Sequence, residues 1–146
     1  MDFALDAIDT LTGSVDGATL VIHGLDGQPL LNSKGEPHSL VLLGPDSPLY
    51  QRLVHQQTHK RIQAAAAAQA KGETAHADPE EAKVDAIDVM ARCTKDWSGF
   101  LDRQGEPIPF SVDAARQLYT RFPVIREQVD GFIVQRRNFL PVSSKA

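Results

Sequence analysis

Asp96-Trp97-Ser98-Gly99-Phe100-Leu101-Asp102-Arg103-Gln104-Gly105-Glu106-Pro107-Ile108-Pro109-Phe110-Ser111 is the stretch whose reading decides the fold. Trp97, Phe100 and Leu101 precede a turn at Asp102-Arg103-Gln104-Gly105, and Ile108 and Phe110 follow it, which is the pattern of a short aromatic hairpin. Pro107 and Pro109 lack an N–H and restrict the second arm to an edge strand or extended segment. Ser111 reads as a helix cap, with Val112, Ala115, Leu118, Tyr119 and Phe122 at helical spacing behind it. Pro123 restarts the chain. Val124 to about Leu140 reads as a last helix with Ile125, Val129, Phe132, Ile133, Phe139 and Leu140 inward. Gly131 within it costs about 1 kcal/mol against alanine, and close helix packing would account for its presence.

Upstream, the first 16 residues have short apolar spacing broken by Asp, Thr, Gly and Ser, which suits a lead-in strand or a loosely held arm. Ala18 to His23 is β-branched and apolar and runs into a turn at Asp26-Gly27. Gln28 to Asn32 reads as a returning strand, Ser33 to Pro37 as another turn, and Ser39 to Leu43 as a third strand ended by Gly44-Pro45. With no helical stretch between them, these strands pair antiparallel. No internal repeat is assigned.

Asp46-Ser47-Pro48 opens a helix: Asp46 or Ser47 caps it, and Pro48 sits where a missing N–H costs nothing. Leu49, Leu53 and Val54 form its apolar face, and it runs through Ala64–Ala68 to about Lys71, with Gly72 as the stop. Alanine favours helix but buries little area, so the outer part packs thinly or orders against a partner. Residues 72–78 read as a flexible linker. Asp78-Pro79 repeats the cap-plus-proline start for a helix to about Thr94, with Val84, Ile87, Met90 and Ala91 on its face. The chain is therefore read as α+β, a small N-terminal antiparallel sheet with a mainly helical C-terminal part. Residues 1–71 form the strand-rich part with its long helix, 79–140 the helical part, and 141–146 a disordered tail.

The 146 residues suffice for one core without staples. The net charge of −4 argues against nucleic-acid binding, and the arginines at 116, 121, 126, 136 and 137 read as solvated helix faces. Cys93 is the single cysteine, which excludes an intrachain disulfide and, lying among Val89, Met90 and Ala91, reads as a buried structural thiol. The first residues lack the pattern of a signal peptide, and no apolar run approaches the roughly 18 residues a membrane helix needs. A cytoplasmic location, without membrane contact, is the expectation.

No catalytic constellation stands out, and neither a catalytic residue nor a cofactor is expected. His55 and His59 share a helix face at the spacing of a two-histidine metal site, but no third ligand has meaningful spacing. Asp85 and Asp88 are three apart without a nearby nucleophile, and they read as solvated charges. The glycines at 24, 27, 35 and 44 mark turns rather than a phosphate loop. Trp97, Phe100 and Phe110 read as a core or protein-binding cluster, because few basic residues interleave with them.

Residues 96–140, with the Trp97-Ser98-Gly99-Phe100 opening, the Gly105 to Ser111 centre and the close at Arg137-Asn138-Phe139-Leu140, resemble the C-terminal part of tail assembly chaperones of long-tailed bacteriophages and prophages. Val41 to Arg52 is similar to the strand-to-helix passage of such proteins. The resemblance implies a non-enzymatic role in the bacterial host cell: binding the long helical tape-measure protein and assisting the tail-tube protein to assemble around it. A structural tail-completion or connector protein is the alternative, and a small metal-binding protein using His55 and His59 a more distant one. Leu49, Leu53, Trp97, Phe100, Phe132 and Phe139 are the candidate protein-binding residues. Homo-oligomers are expected, with the 48–71 helix as a contact.

Overall fold

The computed structural model describes residues 3–74 and 78–141. Two short helices, α1 (Phe3–Asp6) and α2 (Leu11–Asp16), lead into β1 (Ala18–Val21) and β2 (Ser39–Leu42). The long α3 (Pro48–Ala70) and α4 (Pro79–Arg92) follow, then β3 (Thr94–Ser98), α5 (Val112–Arg121), α6 (Pro123–Ile133) and a closing 3-10 helix (Arg136–Phe139). The architecture is α+β, with helices packed around a three-stranded antiparallel sheet of order β1-β2-β3.

Gln28–Asn32, read from sequence as the returning strand between the other two, is not a strand of that sheet, and Thr94–Ser98 is its remaining member. β2 pairs with β1 from Ala18↔Leu42 to Val21↔Ser39, and with β3 from Ser39↔Ser98 to Leu42↔Thr94. Pro29 and Pro37 explain the difference, because neither can donate to a continuous ladder. Residues 22–38 instead make isolated bridges, His23↔Pro29 and Leu31↔Pro37. Three backbone bonds close them into a ring: Ile22 N–H to His38 C=O (2.9 Å), His38 N–H to Leu30 C=O (3.1 Å) and Leu30 N–H to Ile22 C=O (2.8 Å).

The connections at this end of the sheet share one turn, and the chain does contain an internal repeat. Asn-Ser-Lys-Gly-Glu-Pro at 32–37 and Asp-Arg-Gln-Gly-Glu-Pro at 102–107 have the same form. Asn32 Oδ1 accepts from the N–H of Lys34 (2.9 Å) and Glu36 (3.1 Å); Asp102 Oδ1 accepts from Gln104 (2.8 Å) and Glu106 (3.0 Å). The Asn32 carbonyl accepts from Gly35 N–H at 3.0 Å, as the Asp102 carbonyl does from Gly105 at 3.1 Å. A third copy at residues 23–30 has Gly24 in the Asn/Asp position, its carbonyl accepting from Gly27 at 3.1 Å. Gly27, Gly35 and Gly105 take φ of 78°, 77° and 79°. This is a type I turn followed by a left-handed glycine bulge, a conformation that favours glycine at that place.

The helix caps follow the sequence. Ser47, rather than Asp46, caps α3 by accepting from Tyr50 N–H (3.2 Å); Asp78 caps α4 through Glu80 N–H (3.0 Å), and Ser111 caps α5 through Ala114 N–H (3.0 Å). Each spares a helix-start N–H the loss of its partner.

Both chain ends differ from expectation. The first residues form α1 and α2 rather than a strand or loose arm, because α2 is fastened to the strand-to-helix turn and to the C-terminal segment. Ser14 is buried; its carbonyl accepts from Gly44 N–H (3.0 Å), and its hydroxyl from Asp46 N–H (3.3 Å). The last helix stops at Ile133 and not near Leu140. The break lets the chain double back, so that Phe139 is buried against Phe132 with ring centroids 5.5 Å apart, and Arg136 forms a forked pair with Asp46 at 3.0–3.1 Å. Of the flexible linker assigned from sequence to residues 72–78, residues 75–77 lie outside the described residues, as do residues 142–146 of the tail assigned to 141–146.

The core runs across both halves of the chain. Leu40 and Leu42 from the sheet and Ile22 just after β1 pack with Ile87, Met90 and Ala91 of α4, Ala115 and Tyr119 of α5, and Val129 and Ile133 of α6. Cys93 is fully buried there, and burial pushes its thiol up to about 12. Burial also raises Tyr119 to about 12. Its hydroxyl bonds Thr94 Oγ1 (2.6 Å), which in turn donates to the Met90 carbonyl (2.8 Å).

Two glycines separate packing from propensity. A Cβ on Gly13 would lie 1.9 Å from the Phe139 carbonyl oxygen, whereas one on Gly131 meets nothing within 4 Å. Close packing therefore does not explain Gly131. Thermal unfolding is expected to show Gly131→Ala stabilised by about 0.5–1 kcal/mol and Gly13→Ala destabilised by about 1–3 kcal/mol or more; equal effects would refute the assigned contact.

The Asp46 carboxylate is held below its ordinary value of 3.8, first by Arg136 and then by the Thr10 hydroxyl. A depressed carboxylate contributes stability that is present above 3.8 and lost as pH falls through the folded value. Acidification is thus expected to lower the melting temperature of the native chain more than that of Asp46→Asn. Parallel acid profiles would sink this assignment.

Candidate interaction surface

α3 is 23 residues long, about 34 Å at 1.5 Å per residue. Its inner half packs: Leu53 is buried, and Leu49 and Tyr50 lie against the core. Gln57 Nε2 donates to the Asp85 carbonyl (2.7 Å), and Lys60 pairs with Glu81 (3.5 Å) and Asp85 (3.8 Å), so α4 runs alongside to about that level. Beyond Lys60 no residue of α3 is buried, and Ile62 is 62% exposed. The outer half depends on local terms. Five consecutive alanines give the best helix propensity. Glu73 N–H bonds Ala68 C=O (2.8 Å), and Gly72 N–H, at φ 70°, bonds Gln69 C=O (3.0 Å). These two bonds form a Schellman cap that satisfies the last carbonyls.

The arm is electrostatically one-sided. α3 carries Arg52, Lys60 and Arg61 and no acidic residue. Lys60 is paired, whereas Arg52 and Arg61 have no ion-pair partner among the described residues. His55 and His59 are exposed on the same helix. Among the described residues, no group of three or more His, Cys, Asp or Glu side chains converges as a metal site would require. Sequence reading overlooked Arg61 and the missing acids; counting charge sign helix by helix would have found both.

The aromatic candidates lie elsewhere. Phe100 and Phe139 are buried with Leu53, and Leu49, Trp97 and Phe132 are partly buried against the same core. Trp97 stacks on Phe100 at 4.8 Å and meets Phe110 edge-on at 5.4 Å, with its Nε1 donating to the Ile108 carbonyl (2.8 Å). His38 meets Phe100 edge-on at 4.9 Å. This cluster closes the hairpin end of the sheet, and Phe132 with Phe139 closes the junction of the chain ends. The six side chains form no single exposed patch.

A shallow groove of about 290 Å³ between α4 and α5 is lined by Val84, Asp85, Asp88, Arg116 and Thr120 among others. Asp88 is committed to Arg116 (2.7 Å) and Arg92 (3.4 Å), and Asp85 faces Lys60. The carboxylates weighed for acid–base work are therefore both matched with cations. No helix among the described residues is long and apolar enough to cross a membrane.

Because the outer half of α3 lacks tertiary packing, its amides at residues 62–70 are expected to exchange hydrogen faster than those of Ile87–Ala91. Equal protection would show that the arm is held by contacts absent from this structure.

No curated protein and no solved structure matches the chain. The model of the YdaY prophage protein family matches residues 46–135, from the turn before α3 through α6. That span covers more than half of the sequence, and the chain belongs to the YdaY prophage protein family.

Proposed function

We propose that this prophage protein is a non-enzymatic tail assembly chaperone that engages the helical tape-measure protein along α3 and assists assembly of the tail tube around it. The observation that carries the reading is the outer half of α3, a helix that its own fold leaves uncovered. Helix-in-groove recognition needs an apolar or small-residue face with complementary charge at its edges. Alanines 64–68 let a second helix approach closely, Ile62 supplies an apolar anchor, and Arg61 favours an acidic flank on the partner. Membership of a prophage family and the resemblance over residues 96–140 support the same reading.

Coexpression with a long helical tape-measure protein from the same prophage, followed by light scattering on a sizing column, tests the proposal. A soluble complex with several copies of this chain per partner is expected, and deletion of residues 64–76 is expected to abolish it. An insoluble partner beside a monomeric chain would defeat the reading. Mass spectrometry of purified virions separates it from a structural tail-completion or connector role, since a chaperone leaves the particle and a connector stays.

A further inference from the structure

Charge is divided along this chain by segment. Residues 1–33 contain Asp2, Asp6, Asp9, Asp16 and Asp26 and no lysine or arginine, the inverse of α3. The carboxylates of Asp6, Asp9 and Asp16 have no ion-pair partner among the described residues, as Arg52 and Arg61 have none. Apolar exposure follows the same division. Leu5, Ile8, Leu11 and Val15 are 53%, 71%, 55% and 47% exposed along α1 and α2, and Val54 and Ile62 on α3 are 37% and 62% exposed. Two surfaces on one molecule thus each combine uncovered apolar side chains with unpaired charge, and their signs are opposite.

These surfaces stay open within one molecule because the inner side of the N-terminal arm is already committed. Thr10 donates to Asp46, and α2 lies against Phe139 at Gly13, which fixes the arm beside the start of α3. Arg61 lies 13 residues further along the helix, about 20 Å away at 1.5 Å per residue. A second copy can supply what the first leaves uncovered. We propose that the acidic, apolar α1–α2 arm of one copy docks along the exposed side of α3 in the next, between Arg52 and Arg61, which stand on opposite edges of the helix nine residues apart. The contact joins two different patches: made once per pair it is heterologous and builds rings or open chains, and made reciprocally it closes a twofold dimer. It is independent of the tape-measure reading, but one α3 cannot hold a neighbour's arm and a client helix together.

Sedimentation velocity on the full chain alone tests the proposal, so its failure is separable from failure of client binding. Association that grows with concentration and weakens at high salt is expected, since the screening length falls from about 10 Å at 0.1 M to about 3 Å at 1 M. Asp6→Lys with Asp9→Lys, and separately Arg52→Glu with Arg61→Glu, are each expected to weaken association by about tenfold. Mixing the two variants is expected to restore it, because each reversed surface then meets a complementary one. Circular dichroism checks that both variants fold. A monomeric native chain at every concentration, association indifferent to the reversals, or folded variants that fail to recover on mixing would each overturn the proposal.

Discussion

The fold depends on one close approach, where Gly44 at the end of the sheet meets α2 on one side and the Phe139 ring on the other. A Cβ at Gly44 would lie 2.4 Å from Ser14 Oγ and 2.6 Å from the Phe139 ring. This contact brings the two ends of the chain to the start of its longest helix. Asp46 consolidates the junction by accepting from Thr10 and from the forked guanidinium of Arg136. An exposed ion pair alone contributes little, and here the packing of Phe139 supplies the apolar burial while the ion pair sets the direction of the returning chain. The YdaY family match stops at residue 135, immediately before Arg136, and begins at Asp46. Both partners of the junction thus stand at the edges of the matched region.

Local chemistry was legible in the sequence where a single residue sets a single backbone state. Ser47, Asp78 and Ser111 each cap the helix that follows, and Gly105 takes the left-handed turn that its place after Asp102 demands. Long-range pairing was not legible. Only Trp97 and Ser98 of β3 fell within the aromatic hairpin read from sequence, and the strand's partner is β2, more than fifty residues earlier; no local signal names a partner across that distance. The ending of α6 escaped for a related reason. Phe139 and Leu140 continue a helical apolar pattern, but burying Phe139 at the chain-end junction outweighs continuing the helix. The repeated turn escaped because its signature lies in turn residues and a glycine, whereas repeats are usually sought in apolar period.

The candidate binding residues show how a core and an interface share a composition. Trp97, Phe100, Phe132 and Phe139 have the size and shape that interfaces favour, and the fold uses them to close its own two ends. The surface left open is chemically plainer: alanines, two arginines, an isoleucine and, on the far side of the junction, an acidic apolar arm. What marks it is the separation of charge sign between segments, a property of the sequence that no single motif carries.

β1, β2 and β3 are neighbours in both sequence and space, so the sheet is a plain meander, and α3 with α4 is an excursion inserted at one of its connections. The entropy of closing a loop grows only with the logarithm of its length, about 0.6 kcal/mol for each doubling. Beyond Lys60 no residue of α3 is buried. Its reach can therefore be drawn out or shortened, turn by turn, as a gauge whose length is set without reference to the body that holds it.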